Sequence, residues 1–224
     1  MIAPRQQPLV VEGKDDYHSL LHLLKRTGVL PADATDQTSP IQFIEAKSKD
    51  GLLKDIPTRW KEAGITSIGY VLDADDSASE PKGLGPTWDA IRHRLSKIEV
   101  ATEAKIRPNG FTARIGTNGP QIGVWIMPDN KTDGALEDFL IAQIDPQDQL
   151  FQVARAKTAE AGQLPISSGR FAASDLSKAE LRCWLAWCNE TGQPYGLAMQ
   201  AGRFNVSVEP ATRFADWVRT LYGL

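Results

Sequence analysis

The sequence predicts an α/β fold, a mostly parallel sheet flanked by helices, with a helical C-terminal extension. Two stretches carry that prediction. Pro8-Leu9-Val10-Val11-Glu12-Gly13-Lys14-Asp15-Asp16 ends an apolar strand on a carboxylate and turns at once on a glycine, which supplies the close or left-handed backbone expected of such a turn. The apolar spacing of Tyr17, Leu20, Leu21, Leu23 and Leu24 behind it is that of a helix with one buried face. About sixty residues later, Ile68-Gly69-Tyr70-Val71-Leu72-Asp73-Ala74-Asp75-Asp76 repeats the strand and its acidic end, now with two carboxylates separated by one residue.

In chain order, the first strand and helix run from about Leu9 to Thr27, and 28–40 is a loop. Ile41 to Ala46 is a short strand, and Asp50 to Ala63 is expected as a helix despite Pro57, stopped by Gly64. Thr66 to Leu72 is the third strand. The Asp/Ser/Pro/Gly-rich run 73–86 is a long loop leading into a helix from Thr87 to Val100, which completes a βαβαβα order. The pattern then changes to short β-like pieces, with Asn109-Gly110 and Asn118-Gly119 as turn signals around Phe111 to Ile115. Ile122 to Met127 is the final strand and Ala135 to Ile144 a helix. The tail is mainly helical, near 147–161, 178–190 and 211–221. This divides the chain into a 1–144 catalytic domain and a 145–224 extension packed on it.

Composition narrows the class. With 42% hydrophobic residues over 224 positions, the chain has material for a proper core. Neither an apolar run of membrane-spanning length nor a secretory signal pattern is present, so a cytoplasmic protein is expected, with no membrane partner. Cys183 and Cys188 lie five apart on an expected helix, a spacing that suits buried thiols better than a disulfide or metal site. Residues 1–150 hold 17 Lys+Arg against 22 Asp+Glu, whereas 151–224 hold 8 against 6, so the acid excess travels with the strand-end carboxylates. A cation would neutralise part of it.

Glu12, Asp73 and Asp75 are hard oxygen donors at one sheet edge, where open parallel sheets place their sites, and their mutual repulsion calls for protons or a divalent cation such as Mg²⁺ or Mn²⁺. Taken singly, Glu12 reads as a turn residue and Asp73 to Asp76 as a solvated loop start. Asp16, four residues after Glu12, either reaches the same ion or complements the helix N-terminus. Pro128-Asp129-Asn130 follows another strand and Glu137 and Asp138 open a helix, so Asp129, Glu137 and Asp138 are candidates for a second cluster of oxygens; the competing reading of Glu137 and Asp138 is again helix capping. Lys14 and Lys131 stand near these acids and are candidates to stabilise charge on a reacting phosphate, or are ordinary surface lysines. Lys105, Arg107, Phe111 and Arg114 are candidates for phosphate and base contact, or guard a sheet edge. Nothing matches a phosphate-binding Walker loop, a nucleophilic-serine elbow or a dinucleotide fingerprint.

A strand-end glutamate in Glu-Gly, followed by a strand ending Asp-x-Asp in a βαβ setting, resembles the Toprim domain shared by topoisomerases, bacterial primases, overcoming-lysogenization-defect (OLD) nucleases and the small ribonuclease that matures ribosomal RNA. The Glu-Gly-Lys-Asp-Asp run is most similar to that ribonuclease. The segment Gly123 to Asn130 with Gly134 to Leu140 resembles a family of small Toprim-like proteins. The resemblance covers about residues 7–142 and implies Mg²⁺-dependent phosphodiester hydrolysis of DNA or RNA, with Glu12, Asp73 and Asp75 on the first ion and Asp16 as a second acid of the nuclease motif; Asp129, with Glu137 or Asp138, is expected to bind a second ion or to position the first. The chain lacks the length for the tyrosine-bearing domain of a topoisomerase or the accessory regions of a primase. The resemblance also implies a competing class, a weakly catalytic regulatory module working with a partner ATPase, for example in phage defence. A third class is hydrolysis of a small phosphorylated metabolite.

Overall fold

A computed structural model describes residues 7–74, 82–164, 172, 175–188 and 190–224. Five strands, β1 (Gln7–Val11), β2 (Ile41–Glu45), β3 (Ser67–Asp73), β4 (Phe111–Arg114) and β5 (Gln121–Met127), form one sheet in the order β2-β1-β3-β5-β4. The first four are mutually parallel and β4 runs antiparallel to β5 at the edge. Eight helices surround it among the described residues: α1 (Lys14–Arg26), α2 (Lys49–Asp55), α3 (Leu84–Ser96), α4 (Leu136–Ile141), α5 (Gln149–Gly162), α6 (Leu176–Trp187), α7 (Tyr195–Gln200) and α8 (Ala211–Tyr222).

Strands buried on both faces must be apolar throughout, and the side chains alternate between two cores. Val10, Tyr70, Leu72, Val124 and Ile126 face α2 and α3, whereas Leu9, Val11, Val71, Trp125 and Met127 face α1, α4 and the tail helices. The second core runs without interruption past residue 144. It joins Trp125 to Phe214 and Trp217 of α8 at ring separations of 5.3 and 5.9 Å, and takes in Phe151, Trp184, Tyr195 and Phe204 as well.

Two glycines set the depth of this packing. Gly69 and Gly123 are neighbours in the β3–β5 register and open a trough under α8. A Cβ at Gly123 would lie 2.6 Å from Leu221 Cδ2, and one at Gly69 would lie 2.7 Å from Leu9 Cδ1 and 2.8 Å from the Tyr222 hydroxyl. That hydroxyl donates to the Pro8 carbonyl at 2.6 Å, fixing the end of α8 to β1.

Several local expectations are corrected. The helix expected over 50–63 stops at Asp55 and resumes only as a 3₁₀ turn at Arg59–Lys61, because Pro57 brings no N–H donor. Helix α7, directly after Pro194, was not anticipated. Gly13 has an extended backbone (φ −142°) that any residue adopts, so the turn after β1 does not depend on glycine for a left-handed conformation. In α6, Trp184 is 3% exposed whereas Trp187, three residues on, is 44% exposed. Cys183 and Cys188 are unbridged. No described helix is long and apolar enough to cross a membrane.

Candidate functional site

The chain leaves β1 for α1 and β2 on one side, and β3 pairs on the other side of β1, so the crevice at the carboxyl ends of β1 and β3 is the point where the winding reverses. Doubly wound sheets bind ligands there. Val11 pairs with Val71 in this register, which puts Glu12, one residue past β1, beside the end of β3. The Asp73 N–H donates to Glu12 Oε1 at 2.9 Å. Asp73 Oδ1 in turn accepts from the Leu136 N–H at 3.0 Å, so the β3 carboxylate caps the first turn of α4.

Both helices facing this edge begin in the same way. Asp16 Oδ2 accepts from the Gly13 N–H at 3.1 Å, and Asp138 Oδ2 accepts from the Ala135 N–H at 2.9 Å, each aspartate reaching back over one turn to an otherwise unpaired donor. Their other oxygens differ. Asp138 Oδ1 accepts from the Ser177 hydroxyl at 2.5 Å, whereas Asp16 Oδ1 is buried and has no hydrogen-bond partner among the described residues. An orphan carboxylate oxygen in a dry acidic site is a position for a proton or a cation.

The electrostatics bring four acids together. Burial pushes Asp16 up to about 8, with the charges of Glu12 and Glu137 adding to it and the Gly13 N–H opposing it. Asp73 is raised well above the usual carboxylate range by burial and by Asp16, Glu12 and Glu137, against the Leu136 N–H. Glu137, 8% exposed, is raised by burial and partly held down by the Lys178 ammonium, whose Nζ lies 3.8 Å from Oε1. The Tyr195 hydroxyl stands 3.5 Å from the same oxygen.

Glu12, Asp16, Asp73 and Glu137 thus form one cluster, with Asp138 beside it but spent on Ala135 and Ser177. Asp75 lies outside the described residues. Asp129 has a different job: its Oδ1 accepts from the Lys131 N–H, the Thr132 N–H and the Thr132 hydroxyl, all at 3.0 Å, closing its own loop, and its charge is not among those that shift Asp16, Asp73 or Glu137. Lys14 and Lys131 are exposed. Of the β4 candidates, Phe111 packs on Trp88 at 5.3 Å, Arg107 pairs with Glu103, and Arg114 donates to the Gly119 carbonyl at 2.8 Å.

Sequence reasoning missed two parts of this edge. Lys49 is fully buried, and its Nζ donates to the Ala74 carbonyl at 3.2 Å, where Gly83 N–H and the Thr87 hydroxyl also donate. Its position just after β2 is the only sequence signal. The tail supplies the other part, Ser177, Lys178, Arg182 and Tyr195, for which the chain offers no local motif.

By donor type and charge the cluster fits a hard divalent cation: four carboxylates in low dielectric, one with an unpartnered oxygen. Among the described residues, no group of three or more His, Cys, Asp or Glu side chains is placed so that it could hold a metal ion as it stands, and Glu12, Asp73 and Asp16 each accept a hydrogen bond from a backbone N–H.

The chain belongs to the family described as "Protein of unknown function (DUF3226)", whose model matches residues 6–223 and so spans the sheet and the tail helices alike. No curated protein and no solved structure matches it.

Proposed function

We propose that this protein is a Toprim-type phosphodiesterase that hydrolyses DNA or RNA with Mg²⁺ or Mn²⁺. The observation that carries the reading is the group Glu12, Asp16, Asp73 and Glu137 at the crevice between β1 and β3, with Asp16 and Glu137 buried and Glu12 and Asp73 half-buried, where desolvation and like charge raise the proton affinity of Asp16 and Asp73. Perturbed carboxylates in a cleft at a switch point are the signature of a working site.

Glu12, Asp16, Asp73 and Glu137, with Asp75, would hold the cation. When bound, it supplies charge neutralisation for the phosphate and a more acidic water. The chain's own groups do the rest. The Asp73 N–H orients Glu12, and the Leu136 N–H orients Asp73, so the two strand-end carboxylates are set before substrate arrives. Burial and the charges of Glu12 and Glu137 raise the affinity of Asp16 for a proton, which positive charge entering the cluster would displace. Asp129 belongs to its loop, which leaves a single site rather than two as the simplest form of this proposal.

A second reading has its own support. The hydrogen bonds that tie Glu12, Asp73 and Asp138 to backbone N–H groups are those of acids used as structure, which favours a regulatory module acting with a partner ATPase. Purified protein incubated with supercoiled DNA, linear DNA, structured RNA and a generic phosphodiester, with Mg²⁺, Mn²⁺ or chelator, separates the two. Cleavage that needs the cation and is lost in Asp73→Asn supports the enzyme. Equal rates in Asp73→Asn, or no cleavage with any cation, remove it.

A further inference from the structure

We propose that α6 forms a phosphate-binding wall on the rim of the carboxylate cluster, in which Lys178 and Arg182 take the phosphate of a nucleic-acid strand; the inference rests on the phosphodiesterase reading and names its substrate-holding groups. Positions 178 and 182 are one helical turn apart and share a face. Lys178 reaches an acid of the site, its Nζ 3.8 Å from Glu137 Oε1, and an Arg182 terminal nitrogen lies 3.6 Å from Oδ2 of Asp15, the neighbour of Asp16 in α1. The two cationic side chains are 51% and 62% exposed, so a ligand in solvent can reach them, whereas Glu137 is 10% exposed on its side chain and cannot follow them outward.

The guanidinium is also held in place. Its centre sits 5.2 Å over the ring of Tyr195, whose hydroxyl faces Glu137, and the side chain is exposed enough to offer N–H groups to phosphate oxygens. Beside it lies a cavity of about 290 Å³ lined by Asp15, Arg182, Leu185, Gln193, Pro194 and Tyr195.

An acidic cluster repels a polyanion, and a strand approaches it only where cations on the rim offset that field. Lys178 and Arg182 are those cations. The Arg182–Asp15 pair is exposed on both partners and contributes little to stability, so phosphate oxygens replace Asp15 at small cost, whereas the Lys178 ammonium, with three donors, serves the buried Glu137 and a phosphate together. Phosphate contacts of this kind position a strand without reading its bases, in keeping with a site that recognises the diester itself.

The test is fluorescence anisotropy with end-labelled single strands of about 15 nucleotides, one of deoxythymidine and one of uridine. It is run on the full chain in Ca²⁺ over a salt series, with inorganic phosphate as competitor. Wild type binds, and the Lys178→Gln/Arg182→Gln double variant binds about tenfold more weakly, with a salt slope shallower by roughly 1.4, the share of two single-strand phosphate contacts. The charge-keeping double, Lys178→Arg with Arg182→Lys, holds most of the affinity, and Lys54→Gln, on an exposed pair in α2, changes nothing. Displacement by inorganic phosphate that weakens in the same double variant also supports the wall and assigns it to a free phosphoryl group. Unchanged binding in the charge-removing double, an equal loss in both doubles, or no binding of either strand by wild type overturns the proposal. Strand binding with this signature but without cation-dependent cleavage leaves the wall standing and removes the phosphodiesterase reading; cleavage with unchanged binding does the reverse.

Discussion

The backbone N–H of Asp73 donates to Oε1 of Glu12, so the two strand-end acids are joined through the main chain of one and the side chain of the other. Glu12→Gln keeps an oxygen for that N–H and removes the charge. It should unfold within about 0.5 kcal/mol of wild type while losing cation-dependent cleavage. Glu12→Ala strands the N–H and should lose about 1–3 kcal/mol of stability as well. Urea denaturation beside the cleavage assay checks both; an active Glu12→Gln removes the glutamate from the site.

Asp16 makes stability depend on pH in an unusual direction. Its folded pKa, about 8, is above the ordinary value of 3.8, so between these values the native state binds more protons than the unfolded state and stability falls as pH rises. The contribution is fully present below about pH 4 and is gone above about 8. Asp16→Asn should flatten the slope between pH 5 and 8, read against the acid unfolding of the remaining groups, and be the more stable protein at pH 8. Mn²⁺ should raise the melting temperature of wild type more at pH 8 than at pH 6, since protons and cation compete for the same oxygens. A melting curve series across pH with and without Mn²⁺ reads all three, and identical slopes in the two proteins would contradict the assignment.

Gly123 is where α8 meets the sheet most closely. Gly123→Ala puts a methyl into Leu221 and Trp217 and should cost about 1–3 kcal/mol through overpacking. Gly85→Ala, where nothing lies within 4 Å in α3, should be neutral or stabilising by up to about 1 kcal/mol. Chemical denaturation of the two variants distinguishes a packing requirement from a general sensitivity of the chain to side chains at glycine.

Ending the chain at Gln149 removes α5 to α8 and uncovers Leu9, Val71, Trp125 and Met127, all fully buried in the whole protein. The shortened chain should lose its cooperative unfolding transition and associate, as judged by calorimetry and by size-exclusion with light scattering. A compact monomer with a sharp transition would mean that the sheet does not need the tail.

The layout of strands and the positions of Glu12 and Asp73 were legible because both rest on local pattern, an apolar run closed by an acid and followed by helical spacing. What surrounds them was not. Glu137 meets Tyr195 across 58 residues, and no periodicity within either segment encodes that meeting. Asp129 carries the same strand-end signature as Asp73, yet the Lys131 and Thr132 donors that follow it turn its carboxylate back on its own loop. The tail was legible as a helical extension packed on the sheet, but the surface that receives α8 depends on Gly69 and Gly123, whose missing side chains look in sequence like weak points of a strand.

Helix α8 is translated after every strand of the sheet it covers. At about 5–20 residues per second, the interval between emergence of Met127 and emergence of Tyr222 lasts roughly 5–20 s. During that interval, Trp125 and the apolar residues beside it on β1, β3 and β5 have no α8 to bury them, and the acids at the strand ends lack the α6 residues that border them. The nascent chain therefore passes through a stage in which its apolar strands lack cover and its acidic edge lacks its cations.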